Sequence, residues 1–470
     1  MNGAETEVKS TKFWKYLQEA IRGSERDFTE TPLELSIFLL AVPMVLEMIM
    51  ESVFAIVDVL FAGRLGAYAI ATIGLTESLL ILLYTLAAGL SIGATATVAR
   101  RIGEKNRRAA ARAAVQTIAL GVALGFLLGI AGYFFAPQLL ELMGAQPEIL
   151  AQGIGYTRMM LGGTIVILLL FLANAIFRGA GDGAVAMRSL WIANGINIVL
   201  NPCLIFGLAF FPKLGLLGAA VSTTIGRSVG ALYTLSHLFM KNSRVRVIAS
   251  DLKLDLPVLK VVVRLSAAGT LQVFVGEASW VVLMRILSSF GSLAVAGYTI
   301  GIRIVLLALF PSFGISNAAA TLVGQSLGAG NPDRAEKAVW KTAFYNMCYL
   351  GSMGFIFIIF SNSIVRIFST DPKIIAYGVD CLWIVSAGFL FYAYGMVFTQ
   401  AFNGAGHTLT PTLINVIVFW LWEIPIAYVL AFPMGLGPEG VFISITLAFS
   451  VLAIVGGLAF KKGHWKTQSV

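Results

Sequence analysis

Apolar residues along this chain come in long runs that short polar segments separate. A run of about 20 apolar residues is long enough for an α-helix to span the hydrocarbon core of a bilayer. Twelve such runs predict twelve spanning helices, so the pattern predicts an all-α polytopic membrane protein. The predicted spans cover residues 34–61, 69–98, 113–136, 150–177, 186–211, 215–240, 258–288, 294–324, 338–361, 375–402, 410–432 and 437–460.

The polar segments between the spans differ in charge according to the side on which they lie. An even number of spans puts both termini on one side, together with basic segments such as RRIGEKNRRAAAR and KNSRVRVIASDLKLDLPVLK. The other side carries only Arg64, Lys213, Arg366 and Lys373 as basic residues. Because positive loops stay in the cytoplasm, both termini are predicted to be cytoplasmic. We expect a multi-pass protein of the plasma membrane, which in a bacterium is the inner membrane.

Composition agrees with this class and excludes others. Hydrophobic residues make up 58% of the 470 residues and charged residues only 12%, whereas soluble domains have about 25% charged residues. The net charge of +9 lies mostly in the predicted cytoplasmic loops, which indicates attraction to anionic lipid rather than to nucleic acid. Residues 13–22, FWKYLQEAIR, are amphipathic and predict either a short helix on the membrane surface or a partly ordered tail.

The second half of the sequence repeats the first. A shift of 225 residues superimposes Gly66, Gly89 and Gly103 on Gly291, Gly314 and Gly328, and FRGAG (177–181) on FNGAG (402–406). Six spans in each half make the repeat parallel, as in transporters whose two bundles face each other across a cleft. We therefore predict five regions. They are a cytoplasmic N-terminal segment (1–32), an N-lobe (33–240), a cytoplasmic linker (241–257), a C-lobe (258–460) and a cytoplasmic tail (461–470).

The chain contains the segments VDVLFAGRLGAYAIATIGL (57–75), FRGAGDG (177–183), LGAGNPDRAEKAV (327–339) and FNGAGHTLTPT (402–412). These segments resemble the multidrug and toxic compound extrusion family, MATE. The likeness covers nearly the whole chain from about residue 33. It implies the MATE fold, with two pseudo-symmetric six-helix bundles around a central cavity. It also implies export of amphipathic, mostly cationic organic compounds in antiport with H⁺ or Na⁺, by alternating access of the two lobes.

Three carboxylates occur in the first predicted span, although a charged acid at the bilayer centre costs at least ~2.5–3.5 kcal/mol. Glu51 lies about 40° around the helix from Glu47, and Asp58 about 20° after three turns, so all three share one face. Asp58 matches the functional aspartate of the family's first helix, which implies a role in cation coupling. Glu47 and Glu51 are interpreted either as additional acids of the substrate cavity or as structural partners of neighbouring helices.

The fifth span carries Asn194, Asn197 and Asn201 at i, i+3 and i+7, again on one face. The resemblance implies that Asn197 and the hydroxyl of Thr223 join Asp58 in a cation site. Asn201 occupies the position where the family has an acid, and an amide cannot titrate. The oxygens of Asp58, Asn197, Asn201 and Thr223 are thus a candidate Na⁺ site. The alternative for the asparagines is hydrogen bonding between helices.

In the C-lobe, Glu277 matches a glutamate that one branch of the family uses for cation coupling. That branch pairs it with an aspartate on the tenth helix, where this chain has no acid at depth, so the site is incomplete. Arg303 is an alternative ion-pair partner of Glu277. The remaining candidates for the substrate cavity combine acids, an amide and aromatic rings suited to cation–π contact. They are Glu47, Glu51, Glu77, Asn194, Tyr298, Tyr392, Tyr394 and Glu423.

Two other functions compete with drug export. A lipid-linked saccharide flippase of the same superfamily tends to line its cavity with basic residues, whereas the charges within these spans are mainly acidic. An intramembrane enzyme is the weaker alternative, because the three histidines are far apart in sequence and no HExxH motif occurs. We therefore expect a monomeric transporter, not an enzyme, that binds small cationic molecules and membrane lipids and has no cofactor. H⁺ is favoured over Na⁺ because the acids expected on helices five and ten are both missing.

Overall fold

The computed structural model describes the backbone of residues 2–208 and 210–467, and the side chains of residues 12–57, 60–61, 64–66, 68–208 and 210–467. Within these described ranges the chain is helical, without strands. The helices are α1 Asn2–Arg22, α2 Leu33–Gly63, α3 Ala67–Gly103, α4 Arg107–Leu142, α5 Pro147–Gly162, α6 Thr164–Gly179, α7 Gly183–Phe206, α8 Leu216–Phe239, α9 Leu256–Ser288, α10 Ser292–Gly328, α11 Pro332–Val365, α12 Pro372–Ala387, α13 Phe389–Gly404, α14 Leu409–Asn415, α15 Ile424–Ala431 and α16 Pro438–Lys461.

All twelve predicted spans fall on helices, so the fold class is confirmed. In the described part of the chain, ten helical stretches are long and apolar enough to cross a membrane, and the pair α12 and α13, bent by 58°, makes eleven. The remaining predicted span, 215–240, is α8, a 24-residue helix whose serines, threonines and glycines lower its hydropathy. Following the predicted division, we call α2–α8 the N-lobe and α9–α16 the C-lobe.

The repeat is visible in how the two lobes touch. Gly103 at the end of α3 lies against Gln325 of α10, and Gly328 at the end of α10 lies against Arg100 of α3. The 225-residue shift exchanges these two contacts. A Cβ atom on Gly103 would lie 2.0 Å from the carbonyl oxygen of Gln325, so only glycine permits this approach of the backbones.

The two lobes touch near one end. We call the end that carries both termini and the Lys/Arg-rich turns the basic face. The lobe contacts at Gly103 and Gly328 lie there, and Gly89 of α3 still packs against Thr270 of α9 one third of the way along. Farther from the basic face, a Cβ atom on Gly74 of α3 or Gly276 of α9 would meet nothing within 4 Å. The lobes are therefore closed against each other at the basic face.

The eleventh predicted span departs from regular α-helix. Residues Val416–Glu423, between α14 and α15, form a π-helical segment. Pro425 follows directly and supplies no backbone N–H to the helix. Such π segments are frequent at functional sites, and this one ends on the buried carboxylate Glu423.

Candidate functional site

The side chain of Asp58 lies outside the described residues. Its predicted role in cation coupling therefore stays a prediction, and so does a Na⁺ site that includes it. Among the described residues, no group of three or more His, Cys, Asp or Glu side chains is arranged to hold a metal ion.

Glu47 is the fully buried partner of an arginine. Its side chain is 0% exposed, and its Oε1 lies 2.6 Å from Nη1 of Arg178 at the end of α6. The sequence left two roles open for Glu47, a cavity acid or a structural partner. The geometry is that of the structural partner, because a neutralised carboxylate without exposed surface neither contacts nor attracts a cation in the cleft.

The backbone around Arg178 connects the two lobes. The hydroxyl of Thr321 in α10 donates a hydrogen bond to the carbonyl oxygen of Arg178 at 2.9 Å. The side-chain amide of Gln325 donates one to the carbonyl oxygen of Gly179 at 3.0 Å. The Glu47–Arg178 ion pair thus lies directly beneath the seam that closes the basic face.

Sequence reasoning missed Arg178, although the repeat contained a signal for it. The 225-residue shift places Glu47 on Gln272 and Arg178 on Asn403. Both residues are charged in the N-lobe, and both of their equivalents are neutral amides in the C-lobe. The two positions therefore change together between the halves.

Glu51 connects α2 to α7. Asn194 donates its side-chain amide to Oε2 of Glu51 at 3.2 Å, and the indole N–H of Trp191 donates to the carbonyl oxygen of Leu46 at 3.1 Å. Unlike Glu47, Glu51 is partly exposed and has no cationic partner among the described residues. It remains a candidate to attract a cationic compound.

The asparagine face of α7 packs against α8. Asn197 donates to Oγ1 of Thr223 at 2.8 Å and to Oγ of Ser222 at 3.4 Å. The predicted residues Asn197 and Thr223 are therefore adjacent, and Asn201 is fully buried one turn farther on. The carbonyl oxygen Oδ1 of Asn197 accepts no hydrogen bond from the described part of the chain, which leaves it available as a ligand for a hard cation.

Arg227 lies one turn beyond Thr223 and is 8% exposed. Its guanidinium donates to the hydroxyl of Tyr84 at 2.9 Å and lies over the rings of Tyr84 and Phe54. A cavity of about 10 Å³ beside it is lined by Met160, Thr223 and five further residues, and it has room for roughly one water molecule. Arg227 thus places a fixed positive charge next to the asparagine face.

A second set of acidic and phenolic groups lies in the C-lobe. Glu423 is 3% exposed and Tyr298 of α10 is 2% exposed. The ring of Tyr298 stacks on that of Phe442, and the ring of Tyr392 of α13 stacks on that of Phe449, so both tyrosines pack against α16. The hydroxyl of Tyr298 is buried without a hydrogen-bond partner among the described residues.

The remaining predicted site residues are the coupling candidate Glu277 and the cavity candidates Glu77 and Tyr394. Glu277 is exposed, and no ion pair joins it to Arg303 within the described ranges. Glu77 is exposed on α3. The ring of Tyr394 contacts those of Trp340 and Phe398, and Tyr392 packs against the same apolar cluster.

Comparison with known proteins identifies the same architecture. The sequence model of the MatE family matches residues 43–203 and 270–429, which are equivalent parts of the two lobes. The probable multidrug resistance protein NorM of Thermotoga maritima is 28% identical over 92% of this chain and 93% of its own length. The multidrug export protein MepA of Staphylococcus aureus is 25% identical over 92% of this chain and 94% of its own.

A solved structure shares the fold over almost its full length. It is described as the outward-facing conformation of a multidrug resistance MATE family transporter of the MOP superfamily. Its TM-score to this chain is 0.88 at 25% identity, and the match covers 94% of this chain and 98% of the other.

Proposed function

This chain belongs to the MatE family, and from that membership we propose that it is a secondary active exporter of amphipathic, mostly cationic organic compounds. It is a multi-pass membrane protein. We propose the plasma membrane as its location, with both termini and the basic face in the cytoplasm. In that orientation the lobe contacts at Gly103 and Gly328 lie on the cytoplasmic side.

The observation that carries the proposal is the exchanged pair of lobe contacts at the basic face. Gly103 against Gln325 and Gly328 against Arg100 are equivalent under the repeat. Two bundles that touch at one end can rock about their interface. Such rocking exposes a site within the bundles alternately to the two sides of the membrane.

The charges in the lobes support a cationic cargo. Glu51, Glu277 and Glu423 are carboxylates without a cationic partner among the described side chains, whereas Glu47 is neutralised by Arg178. Tyr392 of α13 adds an aromatic ring for cation–π contact. Relatives named as multidrug resistance and multidrug export proteins support the same substrate class.

We propose H⁺ as the coupling ion, with Na⁺ as the alternative. The N-lobe candidates are Asp58, Asn197, Asn201 and Thr223, and the C-lobe candidate is Glu277. Only Asp58 and Glu277 among these titrate in the relevant range. A site with one carboxylate supplies a proton acceptor, whereas a Na⁺ site benefits from more charge among its oxygen ligands.

The test is transport of two fluorescent dyes of similar size and opposite charge in proteoliposomes with an imposed pH gradient. We expect gradient-dependent movement of the cationic dye and none of the anionic dye. Transport of the anionic dye alone would contradict the proposed substrate class and favour the flippase function. Gradient-independent movement of both would contradict coupled transport.

A further inference from the structure

Residues 23–32, which we call the strap, cross the basic face between α1 and α2. The strap has no regular secondary structure apart from a turn at Phe28–Glu30. It is nevertheless partly buried, with Ser24 at 7% and Phe28 at 1% exposure. Groups from the N-lobe, the linker and the C-lobe all bind it.

Arg244 of the linker holds the first half of the strap. Its Nη2 donates to the carbonyl oxygens of Ser24 at 2.5 Å and Arg26 at 2.8 Å, and its Nη1 donates to that of Ala180 in the N-lobe at 3.3 Å. The guanidinium also lies 4.9 Å from the ring centre of Phe28. Hydrogen bonds from a charged donor are stronger than neutral ones, so this arginine fixes the strap to the N-lobe side.

Arg334 of α11 holds the second half of the strap from the C-lobe. Its Nη2 donates to the carbonyl oxygen of Phe28 at 2.8 Å and to that of Thr31. On the opposite side, Nζ of Lys105 in the N-lobe lies 2.8 Å from the carboxylate of Glu30 and 3.6 Å from that of Asp27. The strap thus has charged anchors on both lobes.

Phe28 fills the point where the lobes meet. Gly181 of the N-lobe turn has a φ of +82°, and a Cβ atom there would lie 3.0 Å from the Phe28 ring and 3.0 Å from the side-chain nitrogen of Gln325. Gln325 itself bridges the lobes through Gly179. The Phe28 ring also belongs to an apolar cluster with residues of the C-lobe, Ala318, Leu322 and Ala338.

From these contacts we propose that the strap is an intramolecular latch that holds the lobes together at the basic face. Separation of the lobes at that face removes the pocket around Phe28. It also moves Arg334 of the C-lobe away from Lys105 of the N-lobe, so the strap cannot keep its contacts with both. A segment that binds only one conformation stabilises that conformation by its binding free energy. The latch therefore favours the state closed at the basic face and resists opening there.

Helix α1 keeps the strap close when it is released. Phe13 and Trp14 are half exposed on α1, at 50% and 59%, and the Phe13 ring contacts Phe38 of α2 edge-on. Aromatic side chains with exposed faces favour the membrane interface. The strap is thus tethered at both ends, at α1 and at α2, which makes rebinding fast and intramolecular.

Distances between spin labels on the two lobes test the latch. Labels are attached at Arg107→Cys in the N-lobe and Lys337→Cys in the C-lobe, both exposed, after replacement of Cys203, Cys348 and Cys381 by alanine. The purified full-length protein is measured by pulsed electron resonance in lipid nanodiscs. In the parent, the short distance of the closed basic face dominates.

We expect Phe28→Ala and Arg334→Gln each to raise the ratio of long-distance to short-distance populations by about tenfold, because each removes contacts made only in the closed state. Phe28→Leu keeps most of the apolar volume, so its effect is smaller. Arg366→Gln, which changes an arginine on the opposite face that bonds only to Asn362 in the described chain, leaves the distribution unchanged.

Unchanged distance distributions in both Phe28→Ala and Arg334→Gln would overturn the latch. An equal change in Arg366→Gln would also overturn it, because the effect would then be general destabilisation. Arg244→Gln replaces either variant that fails to give a folded, monodisperse protein, and the same two outcomes apply to it.

Discussion

The carboxylate of Glu47 lies 2.6 Å from the guanidinium of Arg178, and the two residues are 131 positions apart in the chain. The side chain of Glu47 is 0% exposed and that of Arg178 is 13% exposed. A buried pair of this kind costs desolvation free energy, which its mutual attraction and hydrogen bond offset. Removal of one partner leaves the other charge buried and uncompensated.

Replacement of Glu47 by glutamine therefore tests whether the pair is structural. We expect Glu47→Gln to lower the free energy of unfolding by ~3–5 kcal/mol, as for other broken buried pairs. The double variant Glu47→Gln with Arg178→Asn copies the C-lobe equivalents Gln272 and Asn403. It is expected to be more stable than Glu47→Gln alone.

Denaturant unfolding in detergent measures both effects. Glu148→Gln is the matched control, because Glu148 is exposed on α5. If Glu47→Gln lowers the free energy of unfolding no more than Glu148→Gln does, the Glu47–Arg178 pair does not stabilise the fold.

The glycine contacts at the basic face make a second prediction. A Cβ atom on Gly103 would lie 2.0 Å from the backbone of Gln325, and overpacking of this kind costs ~1–3 kcal/mol. Gly103→Ala should thus shift the protein away from the state closed at the basic face. The measurement is the inter-lobe distance between labels at positions 107 and 337.

Gly74→Ala is the control for this shift, since Gly74 lies in the same helix with open space around it. It removes a helix-interior glycine and is expected to leave the closed state intact. The same distance distribution in Gly103→Ala and Gly74→Ala would contradict this prediction. It would show that the state closed at the basic face does not require a glycine at position 103.

The C-lobe carboxylate Glu423 makes a third prediction, which separates binding from structure. Glu423→Gln preserves the shape of the side chain and removes a charge that has no cationic partner among the described residues. We expect affinity for a cationic dye to fall about tenfold through loss of electrostatic attraction. Stability should not fall, because the buried charge also carries a desolvation cost.

Dye binding by fluorescence anisotropy and unfolding by denaturant measure the two properties on one preparation. A variant that is less stable but binds the dye normally would assign Glu423 to structure alone.

The approach of Glu19 to Arg26 makes a fourth prediction, on pH. The hydrogen bond from Arg26, at 2.6 Å, holds the pKa of the Glu19 carboxyl below its usual value of 4.5. A carboxylate with a lowered pKa contributes stability above its unfolded pKa and loses it as the pH falls through the folded pKa. The attachment of the strap to α1 should therefore weaken only below about pH 4.5.

The inter-lobe distance between positions 107 and 337 over this acid range measures the loss. Glu19→Gln lacks the titrating group, so its distances should change less with pH than those of the parent. Identical pH profiles would mean that Glu19 does not support the strap.

Much of the fold was predictable because its determinants are local. The length of each apolar run predicts a membrane-spanning segment, and the 225-residue repeat is visible in the sequence at Gly66, Gly89 and Gly103. The adjacency of Asn197 and Thr223 followed from helix spacing together with family resemblance. These properties depend on residues close together in the chain or on matching motifs.

The partners of buried charges were not predictable in the same way. The pairing of Glu47 with Arg178, and of Arg244 and Arg334 with strap carbonyls, depends on how distant helices pack. The break at Gly388, which bends α12 against α13 by 58°, and the π-helical turn before Ile424 also arise from tertiary packing. Apolar periodicity carries no information on any of them.

Gradient-driven dye efflux tests the central claim of cation-coupled export most directly. Proteoliposomes are loaded with a cationic dye and given either a pH gradient or a Na⁺ gradient, with the parent protein, Asp58→Asn and Glu277→Gln. We predict that the pH gradient drives efflux by the parent, that the Na⁺ gradient alone does not, and that at least one of the two variants is uncoupled. Efflux driven by Na⁺ alone would contradict proton coupling, and normal efflux by both variants would contradict the assigned coupling residues.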